Sequence, residues 1–184
     1  MRDFNAVIAA VLAMNGAQAW ANMMPPPPPA VKVDMYSIDA KGMGPKLGHI
    51  TITETLVGLM FTPDLKGLPP GERGFHVHEV GNCAPGLKDG AMTAGWSAGA
   101  HYDPAKTGKH VGPHKEGGHK GDLEVLKVGA DGTAKTVAMS KSLKLNDVAG
   151  RALMIHAGGD NYSDQPEPLG GGGGRIACGV VPAL

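Results

Sequence analysis

Histidine is concentrated in one part of this 184-residue chain. Six of the eight histidines lie between residues 75 and 120, in the strings GFHVHEVGNC, AHYDP and KHVGPHKEGGHKGD, and a seventh lies in MIHAGGD. Imidazole is the commonest metal ligand among protein side chains, and such a density is unusual for histidines that only fill a hydrophobic core. The pattern therefore predicts a metal centre.

His76 and His78 have the most informative spacing of the group. They are two residues apart in an apolar string, so on a β-strand their side chains project from the same face. A lone His-x-His pair can also be an exposed strand face. His156, however, lies in another apolar segment, where an unpaired imidazole would be costly to bury. Three imidazoles brought together would suit copper, zinc or iron.

A second group of ligand-type side chains is spread over a glycine-rich segment: His101, His110, His119 and Asp122. Regular secondary structure does not bring residues nine apart together, whereas a loop wrapped around an ion does. Three imidazoles with one carboxylate make a closed tetrahedral set, which favours structural zinc. The alternative is a solvated loop that binds metal only adventitiously, and His114 is assigned to that alternative.

The elements that must position these side chains have the pattern of short β-strands. Candidate strands, marked by alternation or by apolar runs, lie at 31–35, 49–54, 56–61, 152–157 and 176–181. Only 143–151 could form a short helical turn. We therefore expect an all-β domain, a sandwich or a barrel. Its long connections, 81–121 and 158–174, are candidates for functional loops.

A hairpin is predicted in the second half of the chain. Asp131-Gly132 separates two alternating segments, 123–128 and 133–139. Asp-Gly between such segments is a strong hairpin signal.

Charge and length limit the possible functions. Lys plus Arg and Asp plus Glu number 17 each, so the formal net charge is zero. A global basic surface for nucleic acid is absent, and no nucleic-acid partner is expected. The length suits one domain of ordinary size.

The N-terminus has the pattern of an export signal. An apolar run at 6–14 is followed by small residues in Ala17-Gln18-Ala19 and at Ala21, and the run is too short to span a bilayer. We expect a signal peptide at 1–21, a Pro-rich spacer at 22–30 and one domain at 31–184. The alternative is a buried or frayed N-terminal helix. No other segment is long enough to span a membrane, so no membrane partner is expected.

Export would decide the oxidation state of the two cysteines. Cys83 and Cys178 form an even pair, so in an oxidising compartment we expect a disulfide. The alternative is two buried free thiols.

The motifs together resemble a known family. GFHVHEVGNC, AHYDP, KHVGP, GHKGDL, MIHAGGDN and GGGGRIACGV occur in this order within 31–181, and they resemble the copper–zinc superoxide dismutases of the bacterial periplasm. The resemblance implies an eight-stranded Greek-key β-barrel or sandwich, immunoglobulin-like, with long metal-binding and electrostatic loops. This family is a known case of the sandwich architecture.

The resemblance also assigns roles to residues. It implies that copper is bound by His76, His78, His101 and His156. It implies that zinc is bound by His101, His110, His119 and Asp122, with His101 bridging the two metals. Asp160 matches the carboxylate that hydrogen-bonds a ligand histidine of each metal, and Cys83 and Cys178 match the family's disulfide.

The implied reaction is the dismutation of superoxide to dioxygen and hydrogen peroxide in the periplasm. Its substrate is a small anion and this chain has no net positive charge, so Arg175 is the expected anion-binding residue. Lys88 is a weaker candidate for steering superoxide from a distance. The alternatives for these two are a surface ion pair and a solvated lysine. Monomer and homodimer both remain open.

Two other classes of protein use similar ligands. A periplasmic copper or zinc carrier would more often show Met-rich or exposed ligands, whereas the ten methionines are scattered. A zinc hydrolase needs an open zinc position, which the predicted set lacks.

The run of five glycines at 170–174 could be a tether. Because Arg175 and Cys178 follow it, we expect an ordered segment beside the metals.

Overall fold

The computed structural model describes residues 28–184. The predicted signal peptide, 1–21, and most of the spacer at 22–30 lie outside these residues. The strands are β1 Ala30–Asp39, β2 Gly42–Thr55, β3 Gly58–Leu65, β4 Gly71–Arg73, β5 Phe75–His78, β6 Gly86–Lys88, β7 Ala91–Thr93, β8 Leu126–Val128, β9 Ala138–Ser140, β10 Ala152–His156 and β11 Arg175–Val180. One short helix, α1, spans Leu145–Val148, and 3-10 turns span Trp96–Ala98 and Pro168–Gly171.

Antiparallel pairing forms one large curled sheet in the order β5-β10-β11-β1-β2-β3-β9, with β4-β8 and β6-β7 as separate pairs. Only Gly74 separates β4 from β5. Counted as one interrupted strand, and without the β6–β7 hairpin that belongs to a loop, they give the predicted eight strands. The expected all-β barrel-like fold is confirmed.

Alternating side chains fill the space inside the curled sheet. Val33 and Met35 on β1 are buried there, as the sequence pattern predicts. Phe61 on β3 meets Phe75 on β5 edge to face, with ring centroids 5.7 Å apart. Phe75 therefore points into the hydrophobic core, and by strand alternation His76 points to the opposite face.

The predicted hairpin at 123–139 is wrong. β8 pairs with β4 and β9 pairs with β3, so the two segments do not pair with each other. The Asp131-Gly132 turn itself forms, and the Asp131 carboxylate accepts hydrogen bonds from the Thr133 N–H and hydroxyl. After it, Ala134 exchanges two backbone hydrogen bonds with Leu65. The chain therefore crosses to β3.

The predicted disulfide between Cys83 and Cys178 is present, with a sequence separation of 95 residues. It attaches the loop that carries the β6–β7 hairpin to β11, so that loop and the strand beginning at Arg175 form one covalently linked unit. Within 28–184, no helix is long and apolar enough to cross a membrane.

Candidate metal centre

The first ligand candidates are placed by β5 and by the segments beside it. His76 and His78 both lie on β5 and are fully buried. Isolated β-bridges join His78 to His101 and His76 to Asp122. Backbone pairing therefore brings two loop residues, far from β5 in sequence, to the histidine strand.

The structure brings the predicted copper ligands together. His156 ends β10, the strand that pairs with β5. One ring nitrogen from each of four buried residues lies within 4.8 Å of the others, and these residues are His76, His78, His101 and His156. Pairing of β5 with β10 brings His76, His78 and His156 together, and the loop that carries His101 adds the fourth ring.

The predicted zinc ligands gather around Asp122. Its carboxylate lies 3.0 Å from His101 Nδ1, 2.9 Å from His110 Nδ1 and 3.4 Å from His119 Nδ1. A second group of close ligand atoms contains His76, His101, His110 and Asp122. His101 and His76 are in both groups. His76 joins the second because its ring is stacked on His101, with centroids 3.9 Å apart. His119 lies just outside this close group.

The hydrogen-bonding state of the rings tests whether this set fits copper. Each of the four rings has one nitrogen bonded to the protein, since His76 Nε2 bonds Asp160, His78 Nδ1 bonds the Gly99 carbonyl, His101 Nδ1 bonds Asp122 and His156 Nδ1 bonds the Gly173 carbonyl. The other nitrogen of each is buried without a partner. Unpartnered buried polar atoms are costly, and four imidazole nitrogens fit a copper ion.

The zinc set passes the same test. His110 Nδ1, His119 Nδ1 and Asp122 Oδ2 are also buried without a hydrogen bond. Although His110 Nδ1 lies close to Asp122 Oδ2, the contact lacks hydrogen-bond geometry. Imidazole nitrogens and a carboxylate oxygen that converge in this way are a zinc donor set.

Burial keeps His76, His78 and His156 neutral. It lowers the pKa of His76 and of His78 well below the usual range and lowers the pKa of His156 to about 3. Neighbouring imidazoles add to this effect, because charge on one disfavours charge on the next. A neutral imidazole is the form that binds metal.

His110 behaves in the opposite way. Burial alone would lower its pKa, but the charges of Asp122 and Asp160, both in close contact with the ring, outweigh burial and raise the pKa to about 9. Burial would likewise raise the pKa of Asp122, yet its close contacts with the rings of His101, His110 and His119 hold it well below its usual range. Asp122 therefore stays a carboxylate, the form that binds a metal ion.

Asp160 connects the two groups. Its Oδ2 lies 2.8 Å from His76 Nε2 and its Oδ1 lies 2.8 Å from His110 Nε2. Both rings are thereby turned so that their Nδ1 atoms face inward.

The glycine run lies directly against this centre. Gly170 has φ +73, and a Cβ there would overlap the Asp160 carboxylate. A Cβ at Gly172 would lie 3.3 Å from the His156 ring. Bare backbone is needed at Gly170, and a side chain at Gly172 would crowd the His156 ring.

Arg175 begins β11 opposite His156. Its Nη1 donates to the Gly95 carbonyl at 2.6 Å and its Nη2 to the Gly99 carbonyl at 2.7 Å. The Gly99 carbonyl also accepts the His78 Nδ1–H at 2.9 Å. Arg175 and His78 are therefore both hydrogen-bonded to the Gly99 carbonyl oxygen. Partial burial lowers the pKa of Arg175, but a guanidinium stays charged.

Comparison with known proteins agrees with this geometry. The family model described as Copper/zinc superoxide dismutase (SODC) matches residues 46–181. The chain belongs to the copper/zinc superoxide dismutase family. The predicted enzyme class and the predicted cofactors, copper and zinc, are confirmed.

Individual relatives cover nearly the whole chain. Superoxide dismutase [Cu-Zn] of Escherichia coli K12 is 50% identical over 182 residues, covering 98% of this chain and 99% of its own. That of Haemophilus parainfluenzae is 45% identical over 175 residues, covering 95% and 94%.

Solved structures of the family have the same architecture. The Brucella abortus Cu/Zn superoxide dismutase has a TM-score of 0.81 at 47% identity, covering 83% of this chain and 99% of its own. The Salmonella enterica enzyme, described as monomeric, has a TM-score of 0.75 at 53% identity with the same coverage.

Two singled-out residues lie further out. Lys88, the predicted steering residue, is exposed at the end of β6, with its Nζ 4.9 Å from the centroid of the Trp96 ring. His114 is largely exposed and lies 3.6 Å from a Glu124 carboxylate oxygen. Neither residue is in a ligand group.

Sequence reasoning missed several contributors to the site. The carbonyls of Gly95 and Gly99 hold Arg175, and Asp164 accepts a hydrogen bond from the His110 N–H at 2.9 Å. A backbone carbonyl has no residue-type signal. Trp96 does have a residue-type signal, because aromatic residues are rare in this chain and this one lies in the loop that the disulfide attaches to β11.

Proposed function

We propose that this chain dismutates superoxide in the periplasm, protecting that compartment from oxidative damage. Two superoxide anions and two protons give one dioxygen and one hydrogen peroxide. The observation that supports this most is the convergence of four unpartnered buried imidazole nitrogens beside an overlapping imidazole–carboxylate group, with His76 and His101 in both.

The proposed ligand roles follow the two groups. His76, His78, His101 and His156 would bind copper, and His101, His110, His119 and Asp122 would bind zinc. When bound, copper supplies a one-electron couple that oxidises one superoxide and reduces the next. The remaining tasks belong to the protein, which must position the anion, deliver protons and keep the rings in place.

His101 is proposed as the proton carrier. Its Nδ1 is held by Asp122 while its Nε2 is buried and unpartnered on the copper side. Nε2 is therefore the atom that takes up a proton in one half-reaction and releases it in the other. With zinc bound, the zinc set that His101 shares with Asp122 would keep the ring in place on its Nδ1 side.

Arg175 is proposed as the anion-binding residue. Two carbonyls orient its guanidinium, so it is arranged before superoxide arrives, and preorganised charge is the most effective form of electrostatic stabilisation. Lys88 is proposed to add positive charge nearby. This family is a known example of electrostatic steering, and attraction at this range weakens with salt.

The periplasmic location has three supports. Residues 1–21 have the pattern of a signal peptide, the Cys83–Cys178 disulfide is typical of an oxidising compartment, and the relatives named above are bacterial. Fractionation of cells that express the full chain tests this. We expect the shortened, oxidised protein in the periplasmic fraction, whereas full-length protein retained in the cytoplasm would contradict it.

The His156→Ala variant tests the reaction, because His156 belongs to the copper-side group alone. We expect it to retain zinc, to lose copper and to lose superoxide consumption, measured as superoxide decay. Unchanged superoxide decay in this variant would overturn the proposed function. All the proposed ligands belong to one chain, and monomer and homodimer both remain open.

A further inference from the structure

Two cations converge on a single aromatic ring next to the proposed copper site. Arg175 Cζ lies 4.9 Å from the centroid of the Trp96 ring, and Lys88 Nζ lies 4.9 Å from the same centroid. Cations at this distance from an indole face are attracted by its quadrupole, and tryptophan is the strongest partner among the aromatic side chains.

The turn that carries Trp96 is anchored to the neighbouring loop. Trp96 is the first residue of the 3-10 turn Trp96–Ala98. In this turn the Ser97 N–H donates to the Ala84 carbonyl at 3.2 Å and the Ser97 hydroxyl donates to the Pro85 carbonyl at 3.0 Å. Those acceptors directly follow Cys83, the loop end of the disulfide. The turn is therefore fixed to the same covalent link that holds β11.

Trp96 lies between β6, which carries Lys88, and the start of β11, which carries Arg175. A Cβ at Gly86, the first residue of β6, would lie 3.2 Å from Trp96 Cβ, so β6 packs closely on this residue. On the other side, a Cβ at Gly95 would lie 3.5 Å from Arg175 Cδ. The ring thus links the strand that carries Lys88 to the guanidinium at the start of β11.

We propose that Trp96 is a positioning residue that holds both Arg175 and Lys88, and so sets the local positive charge that attracts superoxide to a chain with no net charge. Arg175 keeps two carbonyl contacts without the ring, whereas the Lys88 side chain makes no hydrogen bond or ion pair among the described residues. Lys88 therefore depends on Trp96 the more strongly. This inference rests on the proposed roles of Arg175 and Lys88.

The test uses copper- and zinc-loaded protein with azide as the anionic probe. Azide affinity is read from the absorption band that appears when the anion binds copper. Trp96→Leu removes the ring, Trp96→Phe retains an aromatic face, and Leu87→Ala is the matched control. Leu87 is 68% exposed on the same hairpin and contributes no charge.

We expect Trp96→Leu to weaken azide binding and to lower kcat/KM for superoxide about three- to tenfold, as loss of a partly exposed cation–π contact implies. Trp96→Phe should recover most of both, and Leu87→Ala should match the wild type. Lys88→Met should cost less in the Trp96→Leu background than in the wild type, because the lysine is already released there.

Wild-type azide affinity and wild-type rate in Trp96→Leu would overturn the inference, and so would equal losses in Trp96→Leu and Leu87→Ala. Arg175→Ala separates this inference from the proposed function. If Arg175→Ala weakens azide binding and Trp96→Leu does not, the role of Trp96 alone fails. If neither does, the proposed role of Arg175 fails as well.

Fluorescence of variants that remain folded supplies a test that does not depend on bound metal. Trp20 and Trp96 are the two tryptophans of the chain, so the emission difference between wild type and Trp96→Phe isolates Trp96. We expect Lys88→Met and Arg175→Ala each to shift that emission. An unshifted spectrum in both variants would contradict contact between the ring and the cations.

Discussion

Asp160 Oδ2 lies 2.8 Å from His76 Nε2, and both side chains are completely buried. The contact occupies the outer nitrogen of the ring and leaves Nδ1 unpartnered toward the other imidazoles. The second oxygen of the same carboxylate holds His110. One buried carboxylate thus orients a histidine of each proposed metal.

Asp160→Asn therefore disturbs the binding of at least one of the two metals. The amide has a single acceptor oxygen, so one of the two rings loses its hydrogen bond. Loss of such an orienting contact typically costs about 10–100-fold in metal affinity, and in competition titrations with a chelator we expect the affinity for the metal bound by that ring to fall within that range. Asp131→Asn, on the distant turn, is the control. Unchanged affinity for both metals in Asp160→Asn would contradict this role.

The glycine run gives a sharper comparison. Gly170 and Gly171 both have positive φ, +73 and +77, so alanine strains the backbone to a similar extent at each. A Cβ at Gly170 overlaps Asp160, whereas at Gly171 the nearest atom is Glu167 Cβ at 3.7 Å. We expect Gly170→Ala to release metal at lower chelator concentration than Gly171→Ala. Equal metal retention in the two variants would show that the run does not need bare backbone beside Asp160.

Arg175→Ala tests the anion site. The substitution removes a guanidinium held by two carbonyls, and loss of one preorganised charged donor costs about 10²–10³ in rate in other enzymes. Because diffusion limits the fastest enzymes, we expect a smaller loss here, about tenfold or more in kcat/KM, together with a weaker dependence on ionic strength. Arg175→Lys should restore the salt dependence without restoring the full rate, since lysine cannot donate in the same fork. Near-normal turnover of Arg175→Ala at low ionic strength would remove Arg175 from the account.

The disulfide is expected to contribute both stability and alignment. Its sequence separation is 95 residues, and the chain-entropy model gives about 4–5 kcal/mol for a loop of this length. The double variant Cys83→Ser, Cys178→Ser should lose roughly that amount in denaturant unfolding. It should also bind azide more weakly, because the loop that holds Arg175 is no longer linked to β11. Full stability and full azide affinity in the double variant would contradict this prediction.

The face of a strand on which a side chain lies was predictable from the sequence. Which segments pair with each other was not. Period-two alternation placed His76 and His78 on one face of β5, since strand geometry is local. The hairpin at 123–139 failed because Ala134 pairs with Leu65 instead. That choice depends on which sheet edge is free in the finished fold.

The site shows the same division. Residue type and order, together with the family resemblance, were enough to predict which side chains gather. The orientation of each ring depends on backbone carbonyls such as Gly99 and Gly173, which any residue type could supply. The contact of Arg175 with Trp96 depends on how the disulfide-linked loop folds over β11, and no spacing rule relates residues 96 and 175.

The rate of superoxide decay, measured as copper is titrated into zinc-loaded protein, tests the central claim most directly. If His76, His78, His101 and His156 form one copper site per chain, the rate should rise linearly and stop rising at one copper per chain. Chain from which copper has been withheld should be inactive. Full activity before copper is added, or no activity after one equivalent has bound, would contradict the account.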